Sequence, residues 1–408
     1  MDLSDTQKPA FADSFTASAA STIPGARHER PATALLLLSW THFINDGASS
    51  YLPGVLPAVL LSLHIPLKMV GLVMAALLIG QALQPLCGWF SDEIGGRAFV
   101  IAGAGLSALA GGAVGIVPGY WPLLAALLLV GGGSAMFHPQ ALAAVRRLPM
   151  NRQGLSLSAF LIGGELGRGI WPLLASLVVV WLGMTGLVLM AIPAVVSLPF
   201  IFHRIPSIPP RHPDLPRASL RRHIPALAVL VGYSSLRATV MYSLVTFLPL
   251  WWVSRGGSLV SGASLLTVLL TVGIIGNLVG GHLTDVLGRR TITALSAAFT
   301  AVFLVLLLLS HGLAMWITLG ILGIVVFATM PVQILIGQDL LPENRSLGSG
   351  LALGFSNGVG AFAMIVLGWL AARWSIPAVL WINVGFCLAA MAVAPLLAEA
   401  PPRDRLVS

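Results

Sequence analysis

The chain has 408 residues, of which 57% are hydrophobic and only 9% charged. Soluble domains average about 25% charged residues, so a water-soluble globule is excluded and lipid is the solvent for most of the chain. The net charge of +8 does not imply a nucleic-acid partner, because most of the positive residues fall in loops and tails on one side of the apolar stretches.

In chain order, residues 1–31 are polar and rich in Ser, Ala and Thr. They lack a charged start followed by a short apolar core, so they read as a disordered cytosolic tail without a cleavable signal. Twelve apolar stretches follow, over 32–62, 67–90, 98–117, 121–145, 153–181, 184–203, 223–253, 259–284, 291–309, 314–338, 346–372 and 376–398. Each approaches or exceeds the roughly 20 residues that cross a bilayer, and the longer ones predict tilted or kinked helices. Between the sixth and seventh lies "RIPSIPPRHPDLPRASLRR", a stiff basic linker over 204–222. The expected architecture is all-α, with a six-helix bundle over 32–203, a second over 223–398 and a cytosolic tail over 399–408.

Seventeen of the 22 Lys and Arg fall in the amino terminus, the even-numbered loops or the carboxy terminus, and only Lys68, Arg255 and Arg373 on the other side. Positive loops stay in the cytosol, which places both termini there. The remaining two, Arg168 and Arg237, lie inside spans. Cys87 and Cys387 sit in different halves and read as small core residues rather than a disulfide.

The halves repeat. "GWFSDEIGGR" begins at Gly88 and "GHLTDVLGRR" at Gly281, an offset of 193. "RLPMNR" ends at Arg152 and "LLPENR" at Arg345, the same offset. A duplicated six-helix unit is what a transporter rocking about a central site needs. In the first motif Gly88 permits a close helix neighbour, Asp92 reaches the cytosolic interface where it can cap or pair, Gly95 allows a tight turn and Arg97 anchors the loop.

These residues resemble the signature G-x-x-x-D-(R/K)-x-G-(R/K)-(R/K) of the major facilitator superfamily. The second copy has Gly281, Asp285, Gly288, Arg289 and Arg290, with Val286 in place of the basic residue after the acid; the first has Glu93 and Gly96 at basic positions. Within that superfamily, "HFINDGASSYLPGVLP" from His42, "FHPQA" from Phe137 and "LRATVMYSLVTFLPLWW" from Leu236 resemble the fosmidomycin-resistance-type efflux transporters. The resemblance implies that spans 1, 4, 7 and 10 line a central cavity and that the glycine-acid loops latch the halves together on the cytosolic side. Two departures stand out: Gln140 follows "FHP" where an acid is common, and "GGELGRG" from Gly163 replaces an uncharged stretch.

At 1.5 Å per residue, Glu165 and Arg168 lie roughly 20–24 Å into their helix and Asp46 roughly 21 Å into its own. Arg237 and His138 fall at similar depth, with His42 one turn before Asp46. A charge at mid-membrane costs at least ~2.5 kcal/mol, so it must be paired or solvated. Glu165 and Arg168, at i and i+3, form either a structural pair or a working one. In the second case Arg168 receives an anionic solute and Glu165 takes a proton when displaced, since burial disfavours its charge. Asp46 is the rival proton carrier, with Asn45 and His42 beside it. His138, before Pro139, is either a hydrogen-bonded histidine at a kink or a proton relay. Arg237 is expected to face Asp46 as pair partner or as second anion receptor. Gln140 and Gln333, at the 193 offset, can meet the solute, each other or backbone. Trp171, Phe137, Tyr233, Tyr242 and Met330 are candidate apolar walls. His42, Asp46 and His138 could also be read as metal ligands, but they match no short-range ligand signature, so no metal site is expected; no cofactor is expected either.

The resulting expectation is a monomeric proton-coupled antiporter of the inner (plasma) membrane, exporting a small anionic or zwitterionic solute by alternating access and driven by the proton gradient. Its partners are that solute, protons and the bilayer. An importer of an organic acid is the alternative. An intramembrane enzyme lacks a legible nucleophile or metal set, and a channel does not explain the repeat.

Overall fold

The computed structural model describes residues 31–94, 96–150, 153–205, 220–341 and 345–399. The expected amino-terminal tail up to residue 30, most of the linker and the end of the carboxy-terminal tail lie outside them. Sixteen α-helices follow one another, with no strand among the described residues. They are α1 (Pro31–Ser50), α2 (Leu52–Ser62), α3 (Val70–Gln81), α4 (Gln84–Ile94), α5 (Arg97–Ala113), α6 (Tyr120–Arg146), α7 (Gln153–Leu182) and α8 (Ile192–Phe202) in the first half. The second half has α9 (Leu220–Ser254), α10 (Leu259–Leu287), α11 (Arg289–Leu309), α12 (Gly312–Phe327), α13 (Met330–Leu340), α14 (Arg345–Gly350), α15 (Ser356–Arg373) and α16 (Ile376–Val393).

All twelve predicted stretches are helical. Ten helical runs among the described residues are long and apolar enough to cross a membrane. The other two differ for local reasons. α5 is shorter, and the first stretch is divided at Tyr51, ahead of Pro53, with its first part diluted by His42, Asn45 and Asp46. The α3–α4 and α12–α13 breaks likewise precede Pro85 and Pro331. Proline has no N–H to give the preceding turn and its ring clashes with the carbonyl four residues back, but it is tolerated in a first turn. Each break therefore restarts as a new helix.

The packing repeats with the sequence. In the first half α1 packs on α7, α3 on α6 and α5 on α6; in the second α9 packs on α15, α10 on α12 and α11 on α12. Large apolar side chains such as Leu36, Leu61, Trp121, Phe200, Leu313 and Phe362 stay exposed on the outside, a surface that suits lipid. In lipid there is no hydrophobic drive between helices, so small residues that allow close approach hold them together.

The most extensive helix pairs between the halves are α3 with α15 and α7 with α10, joined by α2 with α9 and α10 and by α4 with α14. Gly71 of α3 and Gly368 of α15 meet backbone to backbone, so that a Cβ on Gly71 would strike the Met364 carbonyl oxygen. Gly169 of α7 is closed off by the Thr271 side chain of α10. Replacing Gly71 by Leu must push α3 from α15, an overpacking cost of about 1–3 kcal/mol. Gly232, with open space around its Cα, is the control. In detergent, Gly71→Leu is expected to unfold at a clearly lower temperature than the parent while Gly232→Ala does not. Equal midpoints for all three would show that the crossing does not need its glycine.

Candidate functional site

The charges of the first half converge from three helices. α1 supplies His42, Asn45 and Asp46; α6 supplies His138; α7 supplies Glu165 and Arg168. What lets α7 lie so close to α1 is a glycine face: a Cβ on Gly164 would overlap the His42 ring, and one on Gly167 the Phe43 carbonyl oxygen. Glu165 and Arg168 occupy the adjoining face, within reach of Asp46.

Arg168 is shared between two acids. Its Nη2 donates to Glu165 Oε1 at 2.5 Å, and its Nε lies 3.3 Å from Asp46 Oδ2. The side chains of Asp46 and Glu165 are only 5% and 4% exposed, whereas Arg168 is 25% and His138 31% exposed. The exposed surface of the cluster therefore lies on its cationic side. Asp46 is also held by His42 Nε2 at 3.3 Å, His138 Nε2 at 3.0 Å and Asn45 Nδ2, which donates to Oδ1 at 3.0 Å. His42 stacks on Phe160 with ring centroids 4.2 Å apart. Two carboxylates against one guanidinium leave the cluster one positive charge short of neutrality if both imidazoles are uncharged.

The second half reaches this cluster through Asn277 of α10, whose Nδ2 lies 3.4 Å from Glu165 Oε1. The other oxygen, Glu165 Oε2, is buried and finds no hydrogen-bond partner among the described residues. Nearby Tyr242 of α9 donates to Asn357 Oδ1 at 2.8 Å and lies 3.5 Å from Gln81 Oε1 of α3, a second polar link between the halves.

A membrane-embedded ion cluster at the junction of two repeated helical bundles is a transporter's arrangement, and comparison with known proteins agrees. The family model described as Major Facilitator Superfamily matches residues 38–360 and again 265–408. The chain belongs to the Major Facilitator Superfamily. It is a membrane transporter, not an enzyme. It is 27% identical over 359 residues to the fosmidomycin resistance protein of Escherichia coli (strain K12), covering 83% of this chain and 86% of that one. It is 24% identical over 350 residues to the uncharacterized MFS-type transporter YfnC of Bacillus subtilis (strain 168), covering 82% and 85%. Among solved structures, a bacterial homolog of the human lysosomal transporter Spinster, in an inward-facing and occupied conformation, superposes with a TM-score of 0.75 at 14% identity, covering 90% of this chain and 96% of that one. The nucleoside transporter NupG gives 0.71 at 15% identity, covering 90% and 99%.

Other superfamily candidates in this chain lie elsewhere than expected. Arg237 does not face Asp46. Its Nε donates to Thr329 Oγ1 at 3.2 Å and its Nη2 to the Val326 carbonyl at 3.1 Å, which turns it into the second half. There it lines a cavity of about 20 Å³ with Tyr233, Ser296, Thr300 and Cys387, enough for about one water. Gln140 and Gln333 do not meet. Gln140 Nε2 donates to Ser91 Oγ and its side chain fills the space beside Gly96, so it braces the loop after α4. Gln333 is buried, and its Nε2 has no partner among the described residues. Phe137 and Trp171 are not cavity walls: they are 0% and 2% exposed, Phe137 behind His42 and Trp171 over Gly47. Tyr233 is buried too, its hydroxyl donating to the Thr293 carbonyl at 3.2 Å, and Met330 packs against the main core.

The signature loops brace their own halves in the contacts described. Gly88 packs near Pro139. Arg97 lies over the Phe202 ring at 5.2 Å, at the end of the sixth span. Arg290, its equivalent at the 193 offset, donates to the Leu397 carbonyl at 2.7 Å, at the end of the twelfth. Arg289 pairs with Asp339 of α13 at 2.6 Å, and Gly288 ends α10 with φ +84°. Gly281 has open space beside it. Gly95 and the side chains of Asp92 and Asp285 lie outside the described residues.

Asn277, Asn357, Gln81 and Asp339 escaped the sequence reading. The signal available was weak: one amide in an apolar run, as in "GIIGNLVGG". Arg168→Met strands two enclosed carboxylates, and breaking such a buried pair costs about 3–5 kcal/mol. The purified variant should therefore melt well below the parent, and Arg168→Met with Glu165→Gln should recover part of the loss. A double variant no more stable than the single one would mean that Glu165 does not depend on Arg168.

Proposed function

We propose that the protein is a proton-coupled antiporter that exports a small anionic or zwitterionic organic solute by alternating access. It would act as a monomer with twelve crossings and both termini cytosolic, in an inner (plasma) membrane. The observation that carries this reading is the exposure pattern of the cluster: Arg168 is partly exposed while the carboxylates it serves are enclosed. An approaching anion meets the guanidinium first, and a bidentate carboxylate or phosphate-like group suits its fork of donors.

An anion that takes Arg168 withdraws it from Glu165. Glu165 is then left with Asn277 and an unpartnered oxygen. A buried carboxylate without a counter-charge takes up a proton rather than stay ionised. Solute and proton thereby compete for the same pair, which is the condition for exchange. Because Asn277 belongs to the other half, the same event alters a contact across the junction that must open and close. The efflux direction is favoured by the name of the relative that confers fosmidomycin resistance.

Two measurements test this. Thermal unfolding of the purified protein with a panel of carboxylates, amino acids, quaternary amines and fosmidomycin should show stabilisation by anionic compounds, about 2.7 kcal/mol at a hundredfold excess over Kd, and no such gain in Arg168→Ala. Stabilisation by cations alone would make Glu165 or Asp46 the receptor instead. In proteoliposomes loaded with the stabilising compound, Glu165→Gln should retain solute exchange and lose movement driven by an imposed pH gradient. Unchanged gradient-driven movement would remove Glu165 from the coupling.

A further inference from the structure

His42 and His138 stand on different helices, and their Nε2 atoms meet one carboxylate: His42 at 3.3 Å from Asp46 Oδ2 and His138 at 3.0 Å from Oδ1. On the far side of each ring, Nδ1 lies 2.8 Å from a backbone carbonyl oxygen, that of Phe160 for His42 and of Ser134 for His138. A carbonyl oxygen only accepts, so Nδ1 carries the hydrogen in both rings. Each Nε2 then either carries a second proton, as an imidazolium facing Asp46, or offers its lone pair to a cation held between it and the carboxylate.

The geometry suits a metal ion. One ligand atom from each of the three residues lies within 4.8 Å of the others. Zinc–nitrogen and zinc–oxygen bonds of about 2.0–2.2 Å in a tetrahedron place neighbouring ligand atoms about 3.3–3.6 Å apart; the two His–Asp46 separations, 3.3 Å to Oδ2 and 3.0 Å to Oδ1, lie near that range. Metal-binding histidines characteristically donate their other ring N–H to a carbonyl or carboxylate, which fixes the ring and its tautomer; both rings here do so. The carboxylate is itself oriented, by Asn45 on Oδ1 and Arg168 on Oδ2. With both imidazoles neutral, a bound cation also supplies the positive charge that two carboxylates and one guanidinium leave wanting. Arg168, the cation nearest the site, has its Nη2 committed to Glu165. Two imidazoles and one carboxylate favour zinc and its first-row neighbours over magnesium or calcium, which prefer all-oxygen sets.

We propose that His42, Asp46 and His138 bind one divalent transition metal of the zinc class, with a fourth position open on the exposed side of His138. The site is independent of the transport reading. The test uses the full chain without a histidine tag, stripped with chelator and dialysed against zinc, with bound metal measured by elemental analysis and the site probed by the visible spectrum of cobalt(II). The parent should retain a single zinc per chain and show the intense visible bands of a four-coordinate cobalt site. His138→Gln, partly exposed and the gentler change, and His42→Gln should each weaken binding about tenfold or more and lose those bands. His282→Gln and His311→Gln, at exposed positions, should bind as the parent does. Failure of the parent to retain zinc, or equal binding by His138→Gln and His42→Gln in variants that melt as the metal-free parent does, overturns the proposal.

Discussion

The structure depends on one guanidinium serving two carboxylates inside a membrane. Asp46 on α1 and Glu165 on α7 cannot both be left enclosed and ionised without a counter-charge, and Arg168 lies within 3.3 Å of the first and 2.5 Å of the second. That sharing requires α1 and α7 to be almost in backbone contact. The requirement explains "GGELGRG": Gly164 and Gly167 face α1 with no side chain to hold it off, while Glu165 and Arg168 turn to the neighbouring face. Packing and charge are thus one constraint. Widening the helix pair would break the ion cluster, and removing the ions would take away the reason for the close pair.

The same economy of small residues governs the junction between the halves. Gly71 against Gly368, and Gly169 under Thr271, give contacts that are tight yet shallow, with few interdigitating side chains. In lipid such contacts are held by van der Waals packing rather than by hydrophobic burial. Among the contacts described, polar links across the junction are Asn277 to Glu165 and Tyr242 to Gln81, with Asn357 holding the Tyr242 hydroxyl from within its own half. In each the second half contributes an uncharged group, so the link can be exchanged without taking the guanidinium from the carboxylates. The strong ion pair with Asp46 stays within the first half.

Much of this was legible in the sequence, and the reasons are physical. Helices in lipid must be long and apolar, so their positions show in composition. A duplicated unit shows in the glycine-acid loops at a constant offset. A charge in an apolar run is costly enough to mark a site, which singled out Asp46, Glu165, Arg168 and Arg237. Partner choice was not legible, because it depends on how each helix is rotated about its axis. Arg237 has the depth to meet Asp46, but its face of α9 points to α12 and Thr329. Gln140 follows the cavity motif, but two residues past His138 it points to nearly the opposite face of α6 and serves α4 and the loop after it. The His42–Asp46–His138 group is only half marked by spacing: His42 and Asp46 stand one turn apart on α1, but His138 comes from α6. The uncharged groups Asn277 and Asn357 cost too little in an apolar run to be conspicuous.

The repeat then poses a question that the ion cluster answers. The halves share their scaffold: Gly88 and Gly281 stand at equivalent places, and Arg97 and Arg290 each secure the last helix of their own half. The chemistry is not shared. In the second half, the equivalent of α1 carries Arg237 without an acid, α12 and α13 carry no histidine and an acid only near their end at Asp339, and α15 has no charge before Arg373. A duplicated unit that kept ions in both copies would place two charged clusters against each other across the junction, and every rocking step would have to separate or desolvate them. With the ions held in one half and amides facing them from the other, the halves can part while the charges keep their partners. The asymmetry lies in the chemistry and the symmetry in the scaffold, which is the division that lets a rigid-body motion pass around a fixed charged site.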